Sequence, residues 1–234
     1  MPIDDPRFGT IVQCSCKERE FVERRARKLV ERSNLAALAD KTFDSCFHPD
    51  NKPSVAFVQA QQYARNPNNR WFVLLGDTGT GKTHLAAAIG NYRLALGEPV
   101  LFMVVPDLLD HLRASYAPGS ELRYDELFEA VRDAPLLILD DLGTQQGSPW
   151  ASEKLFQLFN HRYIFKLATV VTSNLTLDEI GGRLASRMSE PSQCTVVATE
   201  SFDFRGGKDV ATPQSGESRT ARSRLRRVED TDRP

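Results

Sequence analysis

Apolar runs of four or five residues alternate with amphipathic stretches from Trp71 to Ala198, a pattern that predicts strands alternating with helices. Trp71–Leu75 is wholly apolar and reads as a buried strand. Lys82–Leu96, rich in Ala and Leu, reads as a helix that stops at Gly97. A strand over Pro99–Val105 follows. Pro106 then suits a helix start, and Asp107–Tyr116 continues with Leu108, Leu109 and Leu112 on one face. Ala117–Ser120 breaks that helix, and Tyr124–Arg132 begins another with Leu127, Phe128 and Val131 inward. Leu136–Leu139 is a buried strand, Trp150–Phe165 a helix and Ala168–Thr172 a strand. Leu177–Ser189 is helical apart from Gly181 and Gly182, and Thr195–Ala198 closes the series as a strand. The expected fold is α/β, a central parallel sheet flanked by helices.

The ends of the chain behave differently. Met1–Cys16 contains proline and no periodicity, which predicts an irregular arm. Lys17–Leu38 carries strong helix formers and dense charge, with Phe21, Leu29 and Val30 as its few large apolar residues before Leu35. That stripe is too thin for a deeply buried helix, leaving a solvated helix held by i,i+4 pairs or a docking helix for a partner. Phe43 and Phe47 stand four apart ahead of a loop containing Pro53, and Val55–Arg65 reads as a helix. Beyond Arg205, the segment Gly206–Pro234 has almost no large apolar residue besides Val210, Leu225 and Val228. It cannot bury enough surface to offset its ordering entropy and is expected to be disordered. The expected parts are residues 1–40 as arm and charged helix, 41–205 as the folded domain and 206–234 as a tail.

Composition narrows the picture. With 234 residues, 41% of them hydrophobic, the chain can bury one substantial core with appendages. A formal net charge of −1 means that bulk charge does not announce a nucleic-acid partner. The run Arg219, Arg222, Arg224, Arg226 and Arg227 could touch phosphates, but a solvated tail accounts for it. No apolar run approaches a membrane span, and Met1–Thr10 is not a signal peptide. Four scattered cysteines do not make a disulfide framework, so a reducing cytoplasm is the expected compartment.

The candidate chemistry sits between the first predicted strand and its helix. Gly76-Asp77-Thr78-Gly79-Thr80-Gly81-Lys82-Thr83 fits the phosphate-loop pattern G-x-x-x-x-G-K-[ST] at every fixed position. The glycines let successive N–H groups converge on phosphate oxygens, and the helix N-terminus adds partial positive charge. Lys82 is placed to reach the β- and γ-phosphates, and Thr83 to ligate Mg²⁺. Leu136–Leu139 then runs into Asp140 and Asp141. Asp140 is placed to hold Mg²⁺ through its water, and Asp141 to orient or deprotonate an attacking water. Asn174, ending the strand Val170–Ser173, is a further polar candidate for the γ-phosphate or that water. The chain is read as binding a nucleoside triphosphate.

The stretches GDTGTGKTHLAAAI, LLILDDLG, SPWASEKLFQLFNHRY, TVVTSNL, GGRLASRMSE and SFDFR resemble, in sequence and spacing, the AAA+ ATPases of the bacterial helicase-loader group, the DnaC/DnaI type, with the transposition helper IstB as close kin. The resemblance covers roughly Phe43 to Arg205. It implies ATP and Mg²⁺ as ligands, Asp140 for the metal, Asp141 as catalytic acid, Asn174 as sensor 1 and Arg187 as an arginine finger. Arg205 would be sensor 2, and Arg183 is a second basic candidate one turn before Arg187. It further implies ATP hydrolysis, self-association through the ATP site, and a replicative helicase and single-stranded DNA as partners. Many members have Glu where Asp141 stands, which implies slow hydrolysis, and no space remains after Arg205 for a helical lid.

DDPRFGTIVQCSCK resembles the closing half of a zinc-binding module found in some loaders, with Cys14 and Cys16 as a ligand pair. A structural zinc site needs four ligands, no Cys or His precedes Cys14, and Cys46 and His48 lie beyond the charged helix. Zinc is not expected; either the start is incomplete or the module has decayed. Three functions stay open on the sequence: a helicase loader acting on single strands, a transposition helper acting on duplex DNA, and an adaptor that binds ATP without useful hydrolysis.

Overall fold

The computed structural model describes residues 33–46, 52–115, 124–143 and 148–199, with the backbone of Phe202–Asp203 and Lys208–Asp209. Five parallel strands form the sheet: β1 (Trp71–Leu75), β2 (Val100–Val104), β3 (Leu136–Leu142), β4 (Ala168–Ser173) and β5 (Cys194–Ala198), in the order β2-β3-β4-β1-β5. Parallel strands need crossovers, and the helices supply them: α1 (Val55–Arg65) leads into β1, and α2 (Lys82–Ala95), α3 (Val105–Ala114), α4 (Tyr124–Arg132) and α5 (Pro149–Ile164) link the strands that follow. Two short helices, α6 (Leu177–Ile180) and α7 (Gly182–Met188), precede β5. Gly181, at φ +63°, separates them, as the glycine pair predicts.

Strand periodicity splits the core into two layers. Trp71, Val73, Leu101, Met103, Leu137, Leu139 and Val171 face α3, α4, α5 and Met188 of α7. Phe72, Leu74, Val100, Phe102, Leu136, Ile138 and Val170 face α1, α2 and Leu35. Both faces are covered, which is why these strands read as continuous apolar runs rather than as alternating ones.

Three expectations need correction. The end of the charged stretch is not α-helix but a 3₁₀ turn, Asn34–Leu38, because the Ser33 hydroxyl accepts the Leu35 N–H at 3.3 Å and the Phe102 N–H of β2 at 2.9 Å. Leu35 is buried against Gly90 of α2, so the end of the stretch has an apolar anchor; Lys17 to Arg32 lies outside the described residues. The strand before Asp140 continues to Leu142 through a register shift between Leu139 and Leu142. Backbone pairing also reaches into the segment expected to lack order, where Lys208–Asp209 lies antiparallel to Phe202–Asp203. A two-residue ladder needs no apolar side chains, so composition did not reveal it.

Residues 33–46 form a strap over α2. Asn91 Nδ2 donates to the carbonyls of Leu38 and Lys41 at 2.9 and 2.7 Å, and His84 Nε2 donates to the Thr42 carbonyl at 2.9 Å. Phe43 meets Phe57 and Tyr92 edge-on. The expected boundary at residue 40 therefore runs through a packed segment. Phe47, like the arm with Cys14 and Cys16, lies outside the described residues. Among the described residues, no helix is long and apolar enough to cross a membrane.

Candidate functional site

The loop from Gly76 to Gly81 leaves the C-terminal end of β1 and turns into α2 through glycines of positive φ, 88° at Gly79 and 83° at Gly81. Gly76, at φ +150°, lies so close to Thr199 that a Cβ there would stand 2.2 Å from Thr199 Oγ1. Thr199 follows β5, and its N–H donates to the Leu75 carbonyl at 2.7 Å. Its hydroxyl lies 2.7 Å from that of Thr80, which in turn donates to the Asp77 carbonyl at 2.8 Å. The loop is thus fastened at both rims. Asp77 and Thr78 at its tip are exposed.

Lys82 is buried beneath the loop, its Nζ donating to the carbonyls of Gly76 and Asp77 at 2.7 and 2.6 Å. One residue on, Thr83 Oγ1 stands 3.0 and 3.1 Å from the two carboxylate oxygens of Asp140. Sequence reasoning placed these two residues at one site, and the fold does so across 57 positions. It does not make β1, which leads into the loop, a neighbour of β3: β4 lies between them. Asp140 is nearly buried, and burial raises its carboxyl above the usual range, with the Asp141 charge adding to the effect. Hydrogen bonds from Thr172 and Thr83 and the Lys82 charge oppose that rise.

Asp141 and Asn174 also meet, with Asn174 Nδ2 donating to Asp141 Oδ1 at 3.2 Å. Asp141 stands at φ +62°, a conformation Asp adopts more readily than most residues. Two further residues of the site carried no signal in the sequence. Thr172 donates to Asp140 Oδ1 at 2.6 Å and accepts the Asp141 N–H at 3.0 Å, yet a Thr in an apolar strand reads as a β-former. Thr199 lay just past the last predicted strand.

Arg187 is held elsewhere. Its Nη2 donates to Asn160 Oδ1, and its guanidinium lies over the rings of Phe156 and Tyr163 at 5.1 and 5.4 Å, all on α5. Its Nε is buried with no hydrogen-bond partner among the described residues. Arg183 is exposed and lies over the same Phe156 ring, at 4.3 Å. A cleft of about 310 Å³ opens beside them, lined by Leu142, Gly143, Leu155, Phe156, Leu175 and Leu184 among others. Arg205 lies outside the described residues.

Thr83 and Asp140 offer only oxygen donors, converging within hydrogen-bond distance below the phosphate loop, and that donor set fits Mg²⁺. Strand order, loop and acidic strand end together define a P-loop nucleotide-binding domain of the AAA+ type. Comparison with known proteins narrows this further. The family model described as IstB-like ATP binding protein matches residues 11–188, and the chain belongs to that family. It is 32% identical over 120 residues to the replicative helicase loader DnaC of Buchnera aphidicola subsp. Baizongia pistaciae, covering 50% of this chain and 49% of that protein. The uncharacterized protein YdaV of Escherichia coli K12 is 30% identical over 186 residues, 76% of this chain and 74% of YdaV. The crystal structure of the DnaC helicase loader shares the fold at a TM-score of 0.58 and 21% identity, over 69% of this chain and 97% of that one. The chain spans about half the length of the DnaC relatives heading the comparison.

Proposed function

We propose that this chain is a cytoplasmic, ATP-dependent loader of the replicative DNA helicase that binds Mg²⁺-ATP and single-stranded DNA. The observation carrying the ATPase reading is the contact of Thr83 with both oxygens of Asp140 beneath the phosphate loop. The loader reading draws support from relatives that bear that name.

In this reading Gly76, Asp77, Thr78, Gly79, Thr80 and Gly81 wrap the phosphates with backbone N–H groups, and Lys82 neutralises the β- and γ-phosphates. Thr83 and Asp140 hold Mg²⁺, which when bound offsets charge on the transferring phosphoryl group. Asp141 takes the proton of the attacking water, and Asn174 fixes the rotamer of Asp141 through its carboxamide. Arg187, assisted by Arg183, serves the site of a neighbouring subunit, so hydrolysis follows self-association. Arg205 reaches the nucleotide as an auxiliary cation. Residues 41–205 form the ATPase unit together with the strap from Ser33, with residues 1–40 otherwise as the partner-facing arm and 206–234 as a tail. Zinc plays no part.

The test is capture of the purified replicative helicase of the source cell by the full chain, with and without ATP, alongside titrations with single- and double-stranded DNA. ATP-dependent capture and single-strand preference are expected, with affinity falling as salt rises. Duplex preference without helicase capture would favour a transposition helper, the reading the family name suggests.

A further inference from the structure

Strands β3 and β4 pair in register from Leu136 with Ala168 to Leu139 with Val171. Continued pairing would set Asp140 opposite Thr172, but the register shifts, and it resumes with Leu142 opposite Ser173. Both acids of the site fall inside that irregularity, and Asp141 there takes φ +62°. A bulge removes ladder partners from the backbone groups it displaces. Here the Asp141 N–H is received at 3.0 Å by a side chain, the Thr172 hydroxyl. The single proton of that hydroxyl goes to Asp140 Oδ1 at 2.6 Å. One oxygen, fully buried, therefore fixes the backbone of one acid and the carboxylate of the other.

We propose that Thr172 is the positioning residue of the two acids: it aims Asp140 at Thr83 and the metal position, and it holds the bulge that presents Asp141 to Asn174. The proposal rests on the reading of this site as an ATPase. Three observations converge on it. Asp140 is gripped by hydroxyls from two elements, Thr83 of α2 and Thr172 of β4, which leaves its carboxylate little rotational freedom. Asp141, whose N–H the Thr172 hydroxyl receives, meets Asn174, which lies two residues beyond Thr172. Valine, the shape-matched β-branched residue already at Val170 and Val171, would fill the same volume and make neither bond. The hydroxyl, not the shape, is what this position adds.

The experiment uses the full chain with Thr172→Val, Thr172→Ala and Thr172→Ser. Two quantities are read: Mn²⁺ binding in the presence of ADP, followed by electron paramagnetic resonance, and ATP turnover as a function of Mg²⁺. A fluorescent ATP analogue in EDTA reports metal-free nucleotide affinity. Thr172→Val should weaken Mn²⁺ binding about tenfold and lower turnover on the order of 10²-fold, the range found when groups orienting metal ligands are removed. Metal-free nucleotide affinity should stay within about twofold of wild type, because no phosphate-loop contact changes. Thr172→Ser should restore both quantities to within about threefold, since it keeps the hydroxyl. If Thr172→Val does not fold, Thr172→Ala removes the same hydroxyl without refilling the space and is read identically. Wild-type Mn²⁺ binding in hydroxyl-free variants, or a Ser variant as impaired as Val, overturns the role of Thr172 and leaves the ATPase reading standing. A wild-type chain that binds no nucleotide overturns both.

Discussion

Asn174 and Asp141 touch across 33 positions of sequence, the carboxamide Nδ2 of Asn174, just past the end of β4, donating at 3.2 Å to Oδ1 of Asp141 in the last residues of β3. A carboxylate held by an amide N–H keeps that oxygen directed. Asn174→Ala should free that rotamer and lower single-turnover ATP hydrolysis by roughly 10²-fold, within the range assigned to a positioned general base. ATP affinity should hold, since neither residue belongs to the phosphate loop. Asp141→Asn should give a similar loss. Turnover at the wild-type rate in either variant would remove both from the chemistry.

Lys82 offers a sharper separation of binding from folding. Its ammonium lies under the loop on two carbonyls, those of Gly76 and Asp77. Lys82→Ala should abolish measurable ATP binding in calorimetric titration while circular dichroism stays native. Lys82→Arg should not rescue it, because a planar fork does not replace a compact point charge in that space. Unchanged ATP affinity in a folded Lys82→Ala chain would sink the phosphate-loop assignment.

The sequence carried the sheet and the loop because both are written locally. Trp71–Leu75 and Leu136–Leu139 are apolar on both faces, and the phosphate loop declares itself by eight consecutive positions. The spatial order was not legible: nothing in the run of residues says that β4 inserts between β1 and β3, and that insertion is what brings Thr172 to Asp140. Ser33 and Arg162 were missed for a related reason. A serine at the end of a charged run and an arginine in an amphipathic helix both read as surface until the elements they bind are in place. Arg187 shows the opposite case. The resemblance named it, while its contacts to Asn160 and Phe156 belong to this chain's own packing.

Arg162 is fully buried yet charged, for burial lowers its pKa only to about 9. Its fork spans three elements, donating to the carbonyls of Arg132, Ala134 and Ala168 at 2.9, 2.9 and 2.6 Å and to Thr169 Oγ1 at 2.9 Å. Arg162→Leu would orphan those carbonyls, and at about 1–3 kcal/mol for each buried unsatisfied group the loss should exceed about 3 kcal/mol in urea unfolding. Arg162→Lys should recover little, because one ammonium cannot reach all four acceptors. Arg113→Ala serves as control: its contact with Asp110 is long, at 3.7 Å, and exposed, and its guanidinium lies 5.1 Å from the Trp150 ring, so a change of about 1 kcal/mol or less is expected. Equal losses for Arg162→Leu and Arg113→Ala would show that the buried fork holds nothing together.

Arg183 and Arg187, four residues apart on α7, share the Phe156 ring, and Arg187 is further held by Asn160 and Tyr163. Two guanidiniums on one ring repel each other, and neither has a carboxylate partner within 4 Å among the described residues. The buried Nε of Arg187 also lacks an acceptor there. An anion brought by another subunit would relieve the first two of these conditions, and a γ-phosphate is such an anion. Fingers supplied in trans contribute on the order of 10³-fold or more to phosphoryl transfer. Arg187→Ala should therefore bind ATP normally and lose the turnover that rises with protein concentration, helicase or DNA. Arg183→Ala should cost less, since its guanidinium has fewer contacts fixing it. Mixing Arg187→Ala with Lys82→Ala should restore part of the activity, because one chain supplies the intact site and the other the finger. A mixture that stays inactive while both variants assemble, or an Arg187→Ala chain turning over at the wild-type rate, would confine Arg187 to its packing on α5.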